Sequence, residues 1–278
     1  MVEAINKRRS VRTFQKKALT KEDQQAIKDI IGDIQKKKGP FGNSAKLVFY
    51  ESSYANDDVP VKIGTYGFVK DAPAFVAGCV HNSFEGIVDY GYLFEDVILK
   101  FTELGLGTVW LGGTFKREAF DYILGKGDIV PAITPVGYIA DNQSIREKII
   151  VGVAQSRQRM PFESLFFEND LNTPLKIKHP FSKYLELVRI GPSASNKQPW
   201  RVIVCGNKAH FYLERTPNYG VGRPFSIQAL DLGIAICHFE KGLIEDQKTY
   251  AMLVDSDHPS KELEYIISFE CIKGQQII

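Results

Sequence analysis

Gly191-Pro192-Ser193-Ala194-Ser195-Asn196-Lys197-Gln198-Pro199-Trp200 is the stretch on which the reading of this chain turns. Before it, Phe181, Tyr184, Leu185 and Val188 repeat at helical spacing; after it, Val202, Ile203 and Val204 read as a strand. Gly and Pro directly after the last periodic residue stop a helix. The stretch is therefore a helix-to-strand loop rich in short polar side chains. Ser193, Ser195, Asn196 and Gln198 offer donors and acceptors together. Small side chains would let a flat polar ring approach the backbone, and Pro192 and Pro199 stiffen the two ends by fixing φ. The plain alternative is an ordinary turn, because Ser, Asn, Gly and Pro all favour turns for local reasons.

Other stretches carry similar pairs of readings. Met1 to Lys7 reads as a short helix, followed by Arg8-Arg9-Ser10-Val11-Arg12. Three guanidinium groups and a hydroxyl within five residues suit a phosphate, since arginine presents a planar fork and keeps its charge. A solvated basic patch is the alternative. Thr20 caps a helix with Asp23 at the capping-box position, and Ile27, Ile30, Ile31 and Ile34 give it one buried face. Gly39-Pro40 then leads into a strand at Leu47 to Tyr50, repeating the helix, Gly-Pro loop, strand order without the polar content of the later loop. Ala72 to Val80 is a strand. Val88 to Leu104 is apolar nearly all round, which predicts a central buried helix. Gly105 to Gly113 ends that helix and enters a strand; its glycines permit close backbone approach, or a tight turn. Ile133 to Ile139 is a further strand.

From about residue 171 the pattern restarts. A helix over 180–190, the Gly191 loop, strands at 200–205 and 208–213, an apolar helix over 225–239, and strands at 248–254 and 265–271 follow in order. Both apolar helices contain Asp-x-Gly, at Asp89-Tyr90-Gly91 and Asp231-Leu232-Gly233. The order predicts two diverged copies of one α+β unit, 1–170 and a shorter 171–278.

Composition narrows the classes. The 278 residues are 44% hydrophobic and 24% charged, enough for a sizeable core without disulfide staples. A net charge of +2 gives no global field for nucleic acid or membrane. Cys79, Cys205, Cys237 and Cys271 are scattered in apolar runs with no metal-ligand spacing, so no metal site is expected and a reducing compartment is. The N-terminus lacks a secretory apolar region and no run approaches a membrane span, so a cytoplasmic protein is expected.

The Pro192 to Trp200 segment resembles the P-S-x-x-N-x-Q-P-W segment of the FMN-dependent nitroreductase family. Arg8 to Arg12 resembles that family's opening R-R-S-x-R, Gly105 to Gly112 its G-x-G-x-x-W-[LI]-G run, and Arg157 to Pro161 its late basic segment. The resemblance implies a nitroreductase-like α+β fold and an FMN cofactor. Arg8, Arg9, Ser10 and Arg12, with Arg157 and Arg159, would then serve the phosphate end, ahead of the weaker rivals Arg146 and Lys148. Leu111, Gly112 and Gly113 would lie beside the reactive edge of the flavin. Pro192, Ser193, Ala194, Ser195, Asn196 and Gln198 would hold the ring, with Ser193 and Asn196 on its pyrimidine edge. The family's members are usually homodimers with flavin between subunits. Here the arginine segment occurs only in the first half and the polar loop only in the second, so the chain looks like a single-chain, pseudo-dimeric branch. One FMN per chain, bound between halves, and no need of a second copy are the expectations. So is two-electron transfer from NAD(P)H to a small nitroaromatic or quinone-like acceptor. No His or Cys is nominated as a catalyst. A flavin-binding protein without turnover, or one with specialised flavin chemistry such as reductive dehalogenation or flavin fragmentation, is the alternative.

Overall fold

The structure is a computed structural model, and it describes residues 1–52, 63–65, 67–141 and 158–272. It opens with helix α1 (Val2–Lys7) and helix α2 (Lys21–Gln35). Thr20 Oγ1 accepts the Asp23 amide at 3.1 Å and so caps α2. The isoleucines at 27, 31 and 34 form its buried face. Strands β1 (Lys46–Glu51), β2 (Ala74–His81), β3 (Gly107–Thr108), β4 (Asp128–Ile129) and β5 (Ile133–Gly137) build a first sheet in the order β1-β2-β5-β3, with β4 also on β2. All its ladders are antiparallel. The central strand β2 is buried from Ala74 to Val80, which matches its unbroken apolar run.

The second sheet has the order β6-β7-β8-β10-β9, from β6 (Phe166–Glu168), β7 (Trp200–Cys205), β8 (Lys208–Leu213), β9 (Tyr250–Leu253) and β10 (Glu264–Cys271). It is antiparallel except for β6, which pairs with β7 in parallel. Thus it already begins at Phe166, ahead of the expected restart near 171.

Helix α3 (Phe84–Glu103) lies between the halves against helix α5 (Ile227–Glu245), and helix α4 (Ser182–Arg189) packs on α5. α3 starts at Phe84 rather than Val88 because Ser83 Oγ accepts the Gly86 amide at 3.0 Å and caps it earlier. α5 runs past Phe239 to Glu245. The segment Lys241 to Glu245, beyond the expected end of the helix, stays helical; Leu243 is fully buried and Gly242 lies against Tyr184 and Leu187.

The two Asp-x-Gly motifs make the crossing of α3 and α5. A Cβ built on Gly91 would lie 2.4 Å from Leu230 O, and one on Gly233 would lie 2.1 Å from Val88 O. Gly91 to Gly233 and Val88 to Leu230 are the same shift of 142 positions, so the contact is two-fold related. The aspartates do a second, matching job. Asp89 accepts from the amides of Phe41 and Asn43 in the first Gly-Pro loop, and Asp231 accepts from the Ala194 amide in the second. One hydrophobic core, from Leu19 to Phe269, runs through both sheets and this helix pair. Among the described residues no helix is long and apolar enough to cross a membrane.

Candidate functional site

A cleft of about 430 Å³ is lined by the Arg8–Arg12 segment, the turn after β3, the face of α5 and the loop before β7. Its first wall is extended chain. Ser10 bridges Thr108 in parallel, the Val11 amide donates to Thr108 O at 2.8 Å, and the Lys70 amide donates to Arg12 O at 2.8 Å. Side chains of an extended segment alternate. Val11 therefore enters the core, close against Gly107, while Ser10 and Arg12 line the cleft.

The opposite wall is the loop 191–200, and its backbone is held in an unusual form. Ser195, Asn196 and Gln198 have φ of 48°, 55° and 48°. Left-handed conformations at non-glycine residues persist only where the surroundings over-determine them. Here they do. Asp231 Oδ1 accepts the Ala194 amide at 2.8 Å, Ser193 Oγ accepts the Gln198 amide at 2.9 Å, and Tyr219 donates its hydroxyl to Ser195 Oγ at 2.9 Å. Asn196 Nδ2 donates to Gln158 O at 2.6 Å, while Arg159 Nη1 donates to Asn196 Oδ1 at 2.9 Å and Nη2 to Ile190 O at 3.0 Å. Burial pushes the Asp231 carboxyl well above the usual carboxylate range.

The cleft's arginine end is poor in counter-charge. Arg8 and Arg159 both lose proton affinity, chiefly through burial; Arg159 is brought down to about 10, with Arg8 and then Arg189 adding like-charge repulsion. The anion near Arg8 is Glu95 of α3, whose Oε1 is 3.9 Å from Arg8 Nε. Glu95 is fully buried and already engaged: it accepts from Trp110 Nε1 at 2.7 Å and faces His238 Nε2 at 2.9 Å. His238 Nδ1 faces Leu187 O at 2.8 Å, and a carbonyl can only accept. So the Glu95–His238 contact itself contains a proton, and the pair is either carboxylate with imidazolium or carboxylic acid with neutral imidazole. His238 thus has a structural role.

At the other end, Gly112 O accepts from Arg117 Nη2 at 2.6 Å and from Arg223 Nη1 at 3.3 Å. In a planar trans peptide the following N–H points opposite to the carbonyl. The Gly113 N–H is therefore directed away from both arginines.

Of the residues expected at the site, Arg8, Arg9, Ser10, Arg12, Gly112, Arg159, Pro192, Ser193, Ala194, Ser195 and Asn196 line the cleft. Three stand elsewhere. Leu111 is buried and bridges Ile133; Gln198 is 1% exposed, its side chain accepting from the Met160 amide; Gly113 is exposed and lies against Arg223. Arg157, with Arg146 and Lys148, lies outside the described residues. The cleft also takes Ala132, Ile190, Ile227, Leu230 and Ile234, which carried no site signal in sequence, together with Val109 and Trp110 of the glycine run and Asp231 of the second Asp-x-Gly.

Arg159 ties Asn196 to Ile190 and adds charge to the cleft, so its removal should be felt in anion affinity more than in stability. Arg159→Ala is expected to weaken binding of a phosphate-bearing ligand by about tenfold to a hundredfold, the worth of one hydrogen bond to a charged group. Asn196→Ala is expected to weaken it less. Calorimetric titration of FMN into both variants tests this, and wild-type affinity in Arg159→Ala would remove that residue from the site.

A family model described as "Putative TM nitroreductase" matches residues 1–243. No curated protein matches the chain. A solved putative nitroreductase from Thermotoga maritima is similar over 98% of this chain and 92% of its own, at 22% identity and a TM-score of 0.60. A putative nitroreductase from Desulfovibrio desulfuricans in complex with FMN is similar over 53% of this chain and 93% of its own, at 19% identity and a TM-score of 0.40. A putative NADH oxidase from Clostridium acetobutylicum covers 50% of this chain and 89% of its own, at 21% identity and the same TM-score, 0.40.

Proposed function

Because this chain belongs to the nitroreductase family described as Putative TM nitroreductase, we propose that it is an FMN-dependent NAD(P)H oxidoreductase that reduces small nitroaromatic or quinone-like acceptors. The observation that carries the reading is the donor set of the cleft. Arg8, Arg12 and Arg159 gather at one end, where burial lowers the proton affinity of Arg8 and Arg159 and repulsion by Arg8 lowers that of Arg159 further. A phosphate dianion relieves that repulsion. Beyond them the floor is apolar, from Ile227, Leu230 and Ile234, and the far wall offers the hydroxyls of Ser193 and Ser195 with the amide of Asn196. An anionic head, an apolar floor and a polar rim fit a flavin mononucleotide.

FMN, when bound, supplies hydride acceptance from the nicotinamide and electron delivery to the acceptor. The chain's own part is to hold and to exclude. The arginines would bind the phosphate, Ser193 and Asn196 would take the pyrimidine edge, and the buried side chains of α5 would keep water from the ring. Arg117 holds the Gly112 carbonyl, and thereby the Gly112–Gly113 peptide, in one orientation, ready for the flavin's reactive edge. No side-chain acid or nucleophile is required. The free cysteines suit a cytoplasmic setting.

We further propose one FMN per chain, in a site completed by both halves of a fused pair. The two-fold shift maps Leu230, Asp231 and Ile234 onto Val88, Asp89 and Tyr92. On that side Tyr92 donates its hydroxyl to Glu240, which also accepts from Tyr250. Asp96 pairs with both Lys37 and Lys241, at 2.9 and 3.0 Å, so both cations are already engaged by a carboxylate. Asp89 is saturated by the Phe41 and Asn43 amides and Asn43 Nδ2. A phosphate there would have to compete with Asp96 for its cations and would meet no cluster of arginines. Saturation with FMN, desalting, and absorbance per mole of chain should give one flavin, with no comparable uptake of FAD. NADH oxidation driven by a nitroaromatic or quinone should follow; flavin uptake without that turnover would favour a binding role. Two flavins per chain, or a site formed only in a dimer by light scattering, would sink the single-site reading.

A further inference from the structure

We propose that Arg223 recognises an anionic group, carboxylate or phosphate, on the small molecule that exchanges electrons at the Gly112–Gly113 edge; the proposal rests on the flavin reading above. Arg223 belongs to the segment between β8 and α5. That segment is fastened over the cleft at two points: the Tyr219 hydroxyl on Ser195 Oγ at 2.9 Å, and Arg223 on Gly112 O at 3.3 Å. Arg223 thus touches Gly112 of the cleft lining and lies, exposed, beside the exposed Gly113. A Cβ added to Gly113 would lie 2.9 Å from both of its terminal nitrogens, so the guanidinium lies directly against that glycine.

Its bond to Gly112 does not explain it. The same oxygen already accepts a shorter bond, 2.6 Å, from Arg117. Arg117 is fully employed: it also donates to Val130 O and Pro131 O, and its guanidinium faces the rings of Phe115 and Phe225 at 4.9 and 5.4 Å. Arg223, by contrast, is exposed, and that one long bond leaves most of its donor fork to solvent.

The two guanidiniums converge on one carbonyl, and their repulsion lowers the proton affinity of Arg117 further, after burial. Glu118 is the acid that offsets this at Arg117. Among the described residues no carboxylate lies within ion-pair distance of Arg117, Arg223 or Lys197. Lys197 stands 5.8 Å from the ring centroid of Tyr219, on the same rim. Like charges held together without a counter-ion make a place for an anion, and the planar fork of arginine matches carboxylate or phosphate oxygens in pairs. The reacting partner is therefore one whose electron-exchanging ring carries, or is linked to, such a group.

The test is calorimetry on flavin-saturated protein with benzoate, inorganic phosphate and neutral benzyl alcohol as probes, for wild type, Arg223→Gln and Arg223→Lys. The arginine is exposed and both replacements are polar, so folding is checked simply by melting. Arg223→Gln is expected to lose about tenfold to a hundredfold in affinity for at least one of the two anions, and less than about twofold for the alcohol. Arg223→Lys should recover part of the loss. Separate reductive and oxidative half-reactions then identify the source. A loss confined to the nicotinamide nucleotide marks its phosphate, and a loss for 4-nitrobenzoate but not 4-nitrobenzyl alcohol marks an acceptor carboxylate. Unchanged affinity for both anions overturns the proposal, as does an equal loss for the neutral alcohol. Flavin content, read from absorbance before the titrations, reports on the cofactor reading alone.

Discussion

Glu95→Ala is expected to destabilise the protein by about 3–5 kcal/mol, the range for removing one partner of a buried charge cluster. Glu95 is fully buried and three groups depend on it: Trp110 Nε1, His238 Nε2 and, more distantly, Arg8 Nε. His238, fully buried, would keep a ring nitrogen without a partner, and the half-buried Trp110 and Arg8 would lose their acceptor and their nearest anion. His238 cannot turn to find another partner without giving up its bond to Leu187 O. Glu95→Gln separates shape from charge. Its carbonyl can accept from Trp110, and its amide can donate to a neutral His238, but Arg8 loses its anion. A cost of about half that of the alanine variant is expected. Urea unfolding with linear extrapolation measures both, and a cycle with His238→Ala should show strong coupling because the two residues share one proton. A loss under about 1 kcal/mol in Glu95→Ala would mean the cluster is not what holds α3 against α5.

Gly233→Ala is expected to cost about 3 kcal/mol or more, at or above the usual limit for overpacking. In most helices the same change helps, because alanine is the better helix former by about 1 kcal/mol. Here the new methyl would sit 2.1 Å from Val88 O and 2.5 Å from Tyr92 N, both backbone atoms that cannot rotate away. The helices must move apart, and Gly91→Ala should do the same from the other side, against Leu230 O at 2.4 Å. Asp231 follows Leu230 directly and holds the Ala194 amide, so the displacement should also loosen the cleft and weaken FMN. Gly32 in α2 supplies the control: nothing lies within 4 Å of its Cβ position, and Gly32→Ala should stabilise by roughly 0.5–1 kcal/mol. Thermal midpoints of the three variants decide the matter. A Gly233→Ala protein as stable as wild type would show that the α3–α5 crossing can relax at little cost.

Local sequence carried a good deal of this. The loop from Gly191 to Trp200 and the arginines from Arg8 to Arg12 were legible because their chemistry is concentrated within a few neighbouring residues. Both line the cleft. The two apolar helices were legible because burial on every side leaves no polar face in the pattern, and the order of elements pointed to two copies of an α+β unit. Ends were less legible, since a cap such as Ser83 acts through one side chain and leaves no periodic trace. Nor did a three-residue parallel strand such as β6 stand out.

What only the tertiary structure decided is which of those buried residues meet, and for what purpose. Ile227, Leu230 and Ile234 share a periodicity with core positions, yet line the cleft because α5 passes beneath it. Gln198 carries the same polar groups as Asn196, but its left-handed backbone turns the side chain inward to the Met160 amide. Arg117 and Arg223 are 106 positions apart and meet on one carbonyl. Asp-x-Gly was visible twice in the sequence. That the glycine admits the facing helix and the aspartate fastens a loop depends on contacts between residues 37 to 145 positions apart, and hydrophobic periodicity records only that a face is buried, never what it is buried against.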